Sequence, residues 1–174
     1  HFALTVALAL ALALGSLPLA GAQRGHTAWM ALARPLATAQ FVFVVLAFGA
    51  LMTSFGLNDF SVANVASHSN SALPTAYRLA ATWGSHEGSM LLWVLMLAGW
   101  TAAVAWRSAH LPADMVARVL GVMGLVAVGF LLFVLVTSNP FERLVPPALD
   151  GRDLNPLLQD PGMVIHPPML YMGY

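Results

Sequence analysis

Six histidines stand in a chain whose seven basic residues are all arginine and which has no cysteine. Structural disulfides, CxxC redox chemistry and thiolate metal sites are therefore excluded. The histidine of Ile165-His166-Pro167-Pro168-Met169 is the best prepared. Neutral imidazole is a natural axial ligand of haem iron. Pro167 predicts an extended backbone at His166, and the paired prolines predict a stiff turn. A helix beginning near Leu170 would direct its positive dipole end toward the imidazole and disfavour imidazolium. From the residues alone, simple capping of that helix is the competing explanation of His166.

The remaining candidates are weaker. His86, Trp93 and Trp100 recur every seven residues and share a helix face with Met90 and Leu97, which predicts a cofactor-facing stripe or a packing stripe. Trp93 and Trp100 cannot both sit at a membrane interface on one helix. Glu87 suits a helix N-terminus, where a carboxylate is favoured, and a proton-transfer role is the sharper alternative. Arg143 and Arg152 can bind carboxylates such as haem propionates, or pair with nearby Glu142 and Asp153. His68 reads as a hydrogen-bonded loop residue. His1, His26 and His110 carry no assignment. There is no Gly-rich phosphate loop, no HExxH and no nucleophile with a plausible base.

The elements that must position these residues are membrane helices. Of the 174 residues, 59% are hydrophobic and 8% charged, against about 25% charged in an ordinary soluble domain. Apolar blocks run over about 2–22, 38–55, 89–106 and 119–137. Each is near the roughly 20 residues that a bilayer core requires, and only a helix satisfies its own backbone in lipid. Ala20-Gly21-Ala22 resembles a signal cleavage site, but the first block is long enough to span and reads as a retained helix. The proline-rich stretch from Ser138 to Pro168 predicts an irregular loop, and a new apolar segment begins near Leu170. The expected fold is all-α: a polytopic transmembrane bundle of four spans plus the start of a fifth. The chain, without an initiating methionine, reads as the N-terminal membrane-embedded portion of a longer protein.

Charge predicts the orientation. The short links 23–37 and 107–118 hold four arginines against Asp114, a net of +3. Segments 56–88 and 138–166 hold three arginines against six carboxylates, a net of −3. Positive links remain cytoplasmic, so the N-terminus and the segments 56–88 and 138–169 are expected in the periplasm of a bacterial inner membrane. The neutral overall charge gives no support to nucleic acid binding.

The ordered stretches Trp83-Gly84-Ser85-His86-Glu87-Gly88-Ser89 and Asn155-Pro156-Leu157-Leu158-Gln159-Asp160-Pro161-Gly162, leading into His166-Pro167-Pro168-Met169-Leu170-Tyr171-Met172-Gly173-Tyr174, carry a resemblance. Over essentially its whole length the chain resembles the N-terminal part of the CcmF/NrfE-type haem lyases of cytochrome c maturation. The resemblance implies a haem-binding role in the cytochrome c synthase machinery, with haem joined to the CxxCH thiols of apocytochrome c. It implies that His166 matches one of two periplasmic histidines that grip iron, the other lying outside this segment. It also implies partners: a CcmE-like haem chaperone, apocytochrome c, a CcmH-like thiol-handling protein and the lipid bilayer. A transporter subunit would need interrupted helices or midplane charges, which the four spans lack. A structural assembly subunit would be separated by the absence of haem absorbance.

Overall fold

The helices outrun the apolar blocks that nucleate them, because polar first turns are helical too. In the computed structural model, residues 1–173 are described; Tyr174, the last residue of the second motif, and the Leu157 side chain lie outside the described part. The elements are α1 (Phe2–Arg24), α2 (Thr27–Ala31), α3 (Ala33–Gly56), α4 (Ala63–His68), α5 (Thr75–Gly84), α6 (His86–Arg107), α7 (Ala113–Val136), a 3-10 turn (Pro156–Gln159) and α8 (Pro161–Gly173). Among the described residues the extended backbone forms only an isolated bridge, Val62 to Arg143. Four stretches, Phe2–Arg24, Thr27–Gly56, His86–Arg107 and Ala113–Val136, are long and apolar enough to cross a membrane.

Several expectations are corrected here. The helix expected from about residue 38 starts at Ala33, because Pro35 falls in the first turn, where its missing N–H costs nothing. The fourth starts at Ala113, directly after Pro112, with Asp114 in its first turn. Segment 56–88 contains two helices, and the stretch expected to be loop up to Pro168 becomes helical at Pro161.

One compact unit comprises His1–Ala47 and Val94–Leu135. Its core joins Leu14 of α1, Ala33 and Ala37 of α3, Ala105 of α6, and Val116 and Leu120 of α7. Small residues let these helices approach, as expected where lipid supplies no hydrophobic drive between them. A Cβ at Gly124 would lie 3.0 Å from the Gly15 nitrogen and 2.9 Å from Leu14 Cγ. Arginines in the first turns of α3 and α7 satisfy carbonyls at the ends of other helices. Arg34 donates to Ser108 O at 2.8 Å and Arg118 to Ala22 O at 3.1 Å. Gly25 closes α1 in the left-handed region at φ 73°.

The other unit comprises Phe48–Trp93 and the chain from Val136 onward. Its proline-rich stretch is irregular but firmly attached. Glu142 O accepts from Ala63 N and Ser61 O from Leu144 N, both at 2.8 Å, and Ala66 O accepts from Arg152 N at 2.8 Å.

Because Gly124 abuts backbone of α1, Gly124→Leu should destabilise the solubilised protein by about 1–3 kcal/mol through overpacking. A thermal midpoint equal to wild type would show that the two helices do not pack as tightly as described.

Candidate functional site

Asp160 starts the helix that carries His166. Its Oδ1 accepts from Gly162 N at 2.8 Å and Met163 N at 3.2 Å, and Pro161 occupies the first helical position. Side-chain capping followed by a proline whose missing N–H is an orphan anyway is a strong start. Further along, Pro167 and Pro168 remove the donors that Met163 O and Val164 O would receive in an unbroken helix. Val164 O recovers a partner from elsewhere: Trp83 Nε1 donates to it at 2.9 Å.

His166 consequently lies inside α8 with helical backbone, not in the extended turn expected from Pro167, and the helix begins at Pro161 rather than near Leu170. The pre-proline bias against helix is overcome by the Asp160 cap at one end and the Trp83 donor in the middle. Val164, Pro167, Pro168 and Tyr171, spaced i, i+3, i+4, i+7, are half-buried. The remaining face is exposed and carries His166 among Met163, Ile165, Met169, Leu170 and Met172. Tyr171 stacks on Trp93 of α6, centroids 5.7 Å apart and planes 13° apart. Trp93 is thus the predicted site residue that meets the helix of His166, and it does so as a packing aromatic.

The Trp83–Ser89 motif is a junction. Ser85 caps α6, its Oγ accepting from Gly88 N at 3.0 Å while its carbonyl accepts from Ser89 N at 2.9 Å. Any Cβ at Gly88 would run into the Thr82 carbonyl, so glycine is what lets the end of α5 press on the start of α6. A Cβ at Gly84 would lie 3.0 Å from Leu158 Cδ1. His86 is the exposed first residue of α6, and Glu87 follows half-buried in its first turn. Trp100, on the same helix, is exposed.

The arginines are placed differently from each other. Arg143 forms a 3.2 Å ion pair with Asp59 and also donates to Ser61 Oγ, so its partner is not the neighbouring Glu142. The antiparallel bridge between Val62 and Arg143 lays the stretch holding Asp59 and Ser61 alongside residue 143. The Arg152 guanidinium is exposed, and Asp153 takes a hydrogen bond from Asn70 Nδ2 instead. The Ser61 hydroxyl, donating to Asp59 at 2.5 Å, and then Arg143 hold the Asp59 carboxyl below its ordinary range, against partial desolvation. The Ser71 hydroxyl at 2.7 Å, with the Gly151 and Ser71 amides, does the same for Asp150. His68 sits in α4, its Nδ1 3.0 Å from Asn64 O.

Among the described residues no group of three or more histidines and carboxylates is placed to hold a metal ion. Trp83, Asp160 and Tyr171 were not singled out from the sequence. Asp160-Pro161 was a readable helix start, and a carbonyl four residues before each proline was a readable vacancy for an outside donor.

Residues 83–174 match the family described as cytochrome c assembly protein. The cytochrome c-type biogenesis protein CcmF of Pseudomonas aeruginosa is 61% identical over 100% of this chain and 27% of its own length. The CcmF of Escherichia coli is 58% identical over 98% of the chain and 27% of its own length. The probable cytochrome c-type biogenesis protein NrfE of Escherichia coli is 51% identical over 78% of the chain and 25% of its own length. A solved structure of cytochrome c heme lyase CcmF superposes with a TM-score of 0.83 at 28% identity, covering 98% of this chain and 26% of that one. The chain thus spans about a quarter of the length of the relatives it matches.

Trp83→Phe should loosen α8 by about 1 kcal/mol, the usual net worth of one hydrogen bond, seen as faster amide exchange in 161–173. In a Pro168→Ala background Val164 O regains an intrahelical donor, so Trp83→Phe should then cost less; equal costs in both backgrounds would refute the substitution of one donor for the other.

The two lowered carboxylates add stability that is complete above the ordinary pKa of 3.8 and lost as pH falls through their lower folded values. The drop in thermal midpoint between pH 7 and about pH 3 should therefore be smaller in Asp59→Asn and Asp150→Asn than in wild type.

Proposed function

The chain belongs to the cytochrome c assembly protein family, and from that membership we propose that it is the haem-holding N-terminal part of a cytochrome c synthase. The observation that carries the reading is His166: exposed, on an apolar helix face, in a helix pinned at its cap, its middle and Tyr171.

The residues fit haem. The macrocycle is flat and apolar, and the exposed face of α8 offers Met163, Met169 and Leu170 one turn either side of the imidazole. His166 would hold iron from one axial side, the opposite ligand coming from elsewhere in the longer protein. Arg152 has an exposed guanidinium for a propionate, whereas Arg143 would have to leave Asp59 and Ser61 to serve one. Trp93 supports the arrangement from behind, through Tyr171. His86 belongs to the wider site as the exposed first residue of α6.

Bound haem supplies the vinyl groups to which the CxxCH thiols of apocytochrome c are joined. This chain contributes position: it fixes the imidazole on a short braced helix, so little ordering is left to the moment of encounter. The protein is a multi-pass membrane protein. We place it in the bacterial inner membrane with 56–88 and 138–169 periplasmic, on the six-charge difference between alternating segments. That is the compartment in which a CcmE-like chaperone would deliver haem and a CcmH-like partner would present apocytochrome.

In the intact protein, His166→Ala should lower copurifying haem and covalent cytochrome c yield by about tenfold. Added imidazole should restore part of the haem, which a merely structural histidine would not allow. Unchanged haem content and unchanged yield would remove His166 from the mechanism.

A further inference from the structure

In the unit of His1–Ala47 and Val94–Leu135, the end where α1 leads into α3 and α6 into α7 holds a cavity with no part in the reading above. Its volume is about 330 Å³, and its wall includes Thr27, Met30 and Ala31 of α2, Arg34 of α3, Leu111, and Val116 of α7. Small-molecule sites occupy about 300–1,000 Å³, so a group much larger than a single ion can enter.

The wall has two chemistries. Arg34 supplies the charged one. Its guanidinium gives one N–H, from Nη2 to Ser108 O at 2.8 Å, and its other donors have no partner among the described residues. Arg34 is half-buried, and its unpartnered nitrogens are not sealed from solvent. The Ser108 carbonyl therefore holds the fork in place while most of its donors stay available. Thr27 adds a hydroxyl with no side-chain bond of its own. The rest of the wall, at Met30, Ala31, Leu111 and Val116, is apolar. A bare anion would leave that part unused, and a purely apolar molecule would strand the guanidinium against hydrocarbon. An amphiphile with an anionic head complements both.

Depth and charge narrow the occupant further. Trp29 and Trp106 are exposed at this end, and Trp106 Nε1 donates at 3.0 Å to Thr38 Oγ1, one turn along α3 from Arg34. Exposed tryptophans favour the headgroup level of a bilayer, which places the cavity where lipid heads lie. Arg24, Arg107 and Arg118 share this end with Arg34, against the single carboxylate of Asp114. That surplus attracts anionic lipid.

We propose that the cavity binds the headgroup phosphate of an anionic phospholipid. Arg34 clasps the phosphate oxygens with the donors that Ser108 leaves free, Thr27 donates beside it, and the glyceride lies against Met30, Leu111 and Val116.

The test uses the intact protein, stripped of lipid in nonionic detergent and titrated with phosphatidylglycerol, phosphatidylcholine or inorganic phosphate. Wild type should bind phosphatidylglycerol at least about tenfold more tightly than either of the others. Arg34→Gln should weaken that binding about tenfold. Arg118→Gln is the matched control: it removes the same charge at the same end and also frees one carbonyl, Ala22 O, but it lies outside the cavity wall. It should keep the affinity within about twofold, because exposed charges are screened. Ala31 is exposed, so Ala31→Glu spares the fold while putting a carboxylate in the wall, and it should also weaken binding about tenfold. The proposal is overturned if phosphatidylcholine or inorganic phosphate binds as tightly as phosphatidylglycerol, or if none of the three binds. It is also overturned if Arg118→Gln weakens binding as much as Arg34→Gln, or if Ala31→Glu leaves it unchanged. None of these readouts involves His166, so failure here leaves the haem reading standing, and the reverse.

Discussion

Backbone carbonyls need donors, and the helix bearing His166 has two prolines where donors should be. Everything about that helix follows from how the shortage is met. The indole of Trp83 supplies the Val164 carbonyl from outside, and Asp160 supplies acceptors for the first amides. A side-chain donor from another helix cannot be replaced by local rearrangement, so it also fixes where α8 lies. The prolines thus turn a local defect into a tertiary tether.

The same bond explains why the Trp83–Ser89 stretch is so strictly shaped. Trp83 must end α5 at the correct place, Ser85 must start α6 immediately afterwards, and Gly88 must admit the Thr82 carbonyl between them. Each residue positions the next, and the last product of the series is the orientation of α8. His86 and Glu87, whose chemistry attracts notice first, occupy the turn that this junction creates. In the other unit a parallel economy operates: Arg34 and Arg118 donate to carbonyls at the ends of other helices.

In the proposed role, rigidity counts for more than any catalytic group. A ligand that only positions its cargo gains from being held still, because ordering already completed in folding is not repeated on binding. The apolar, methionine-rich face around His166 suits a flat, polarisable partner, and methionine adapts its shape without a dedicated cavity.

The four long apolar helices and their approximate limits were legible in the sequence. Uninterrupted apolar blocks have one solution in lipid, and imidazole beside two prolines is an unusual local feature. The conformation at His166 was not legible, because the local bias of Pro167 toward extended backbone was outweighed by a contact 81 residues away in sequence. Nor was the partner of Arg143, which the Val62 bridge rather than sequence proximity selects. Local chemistry alone determined which segments form long apolar helices and which histidine is exposed to the bias of two following prolines. Tertiary structure decided which face that residue presents, since only donors and acceptors brought in from distant segments could settle how a proline-broken helix is completed.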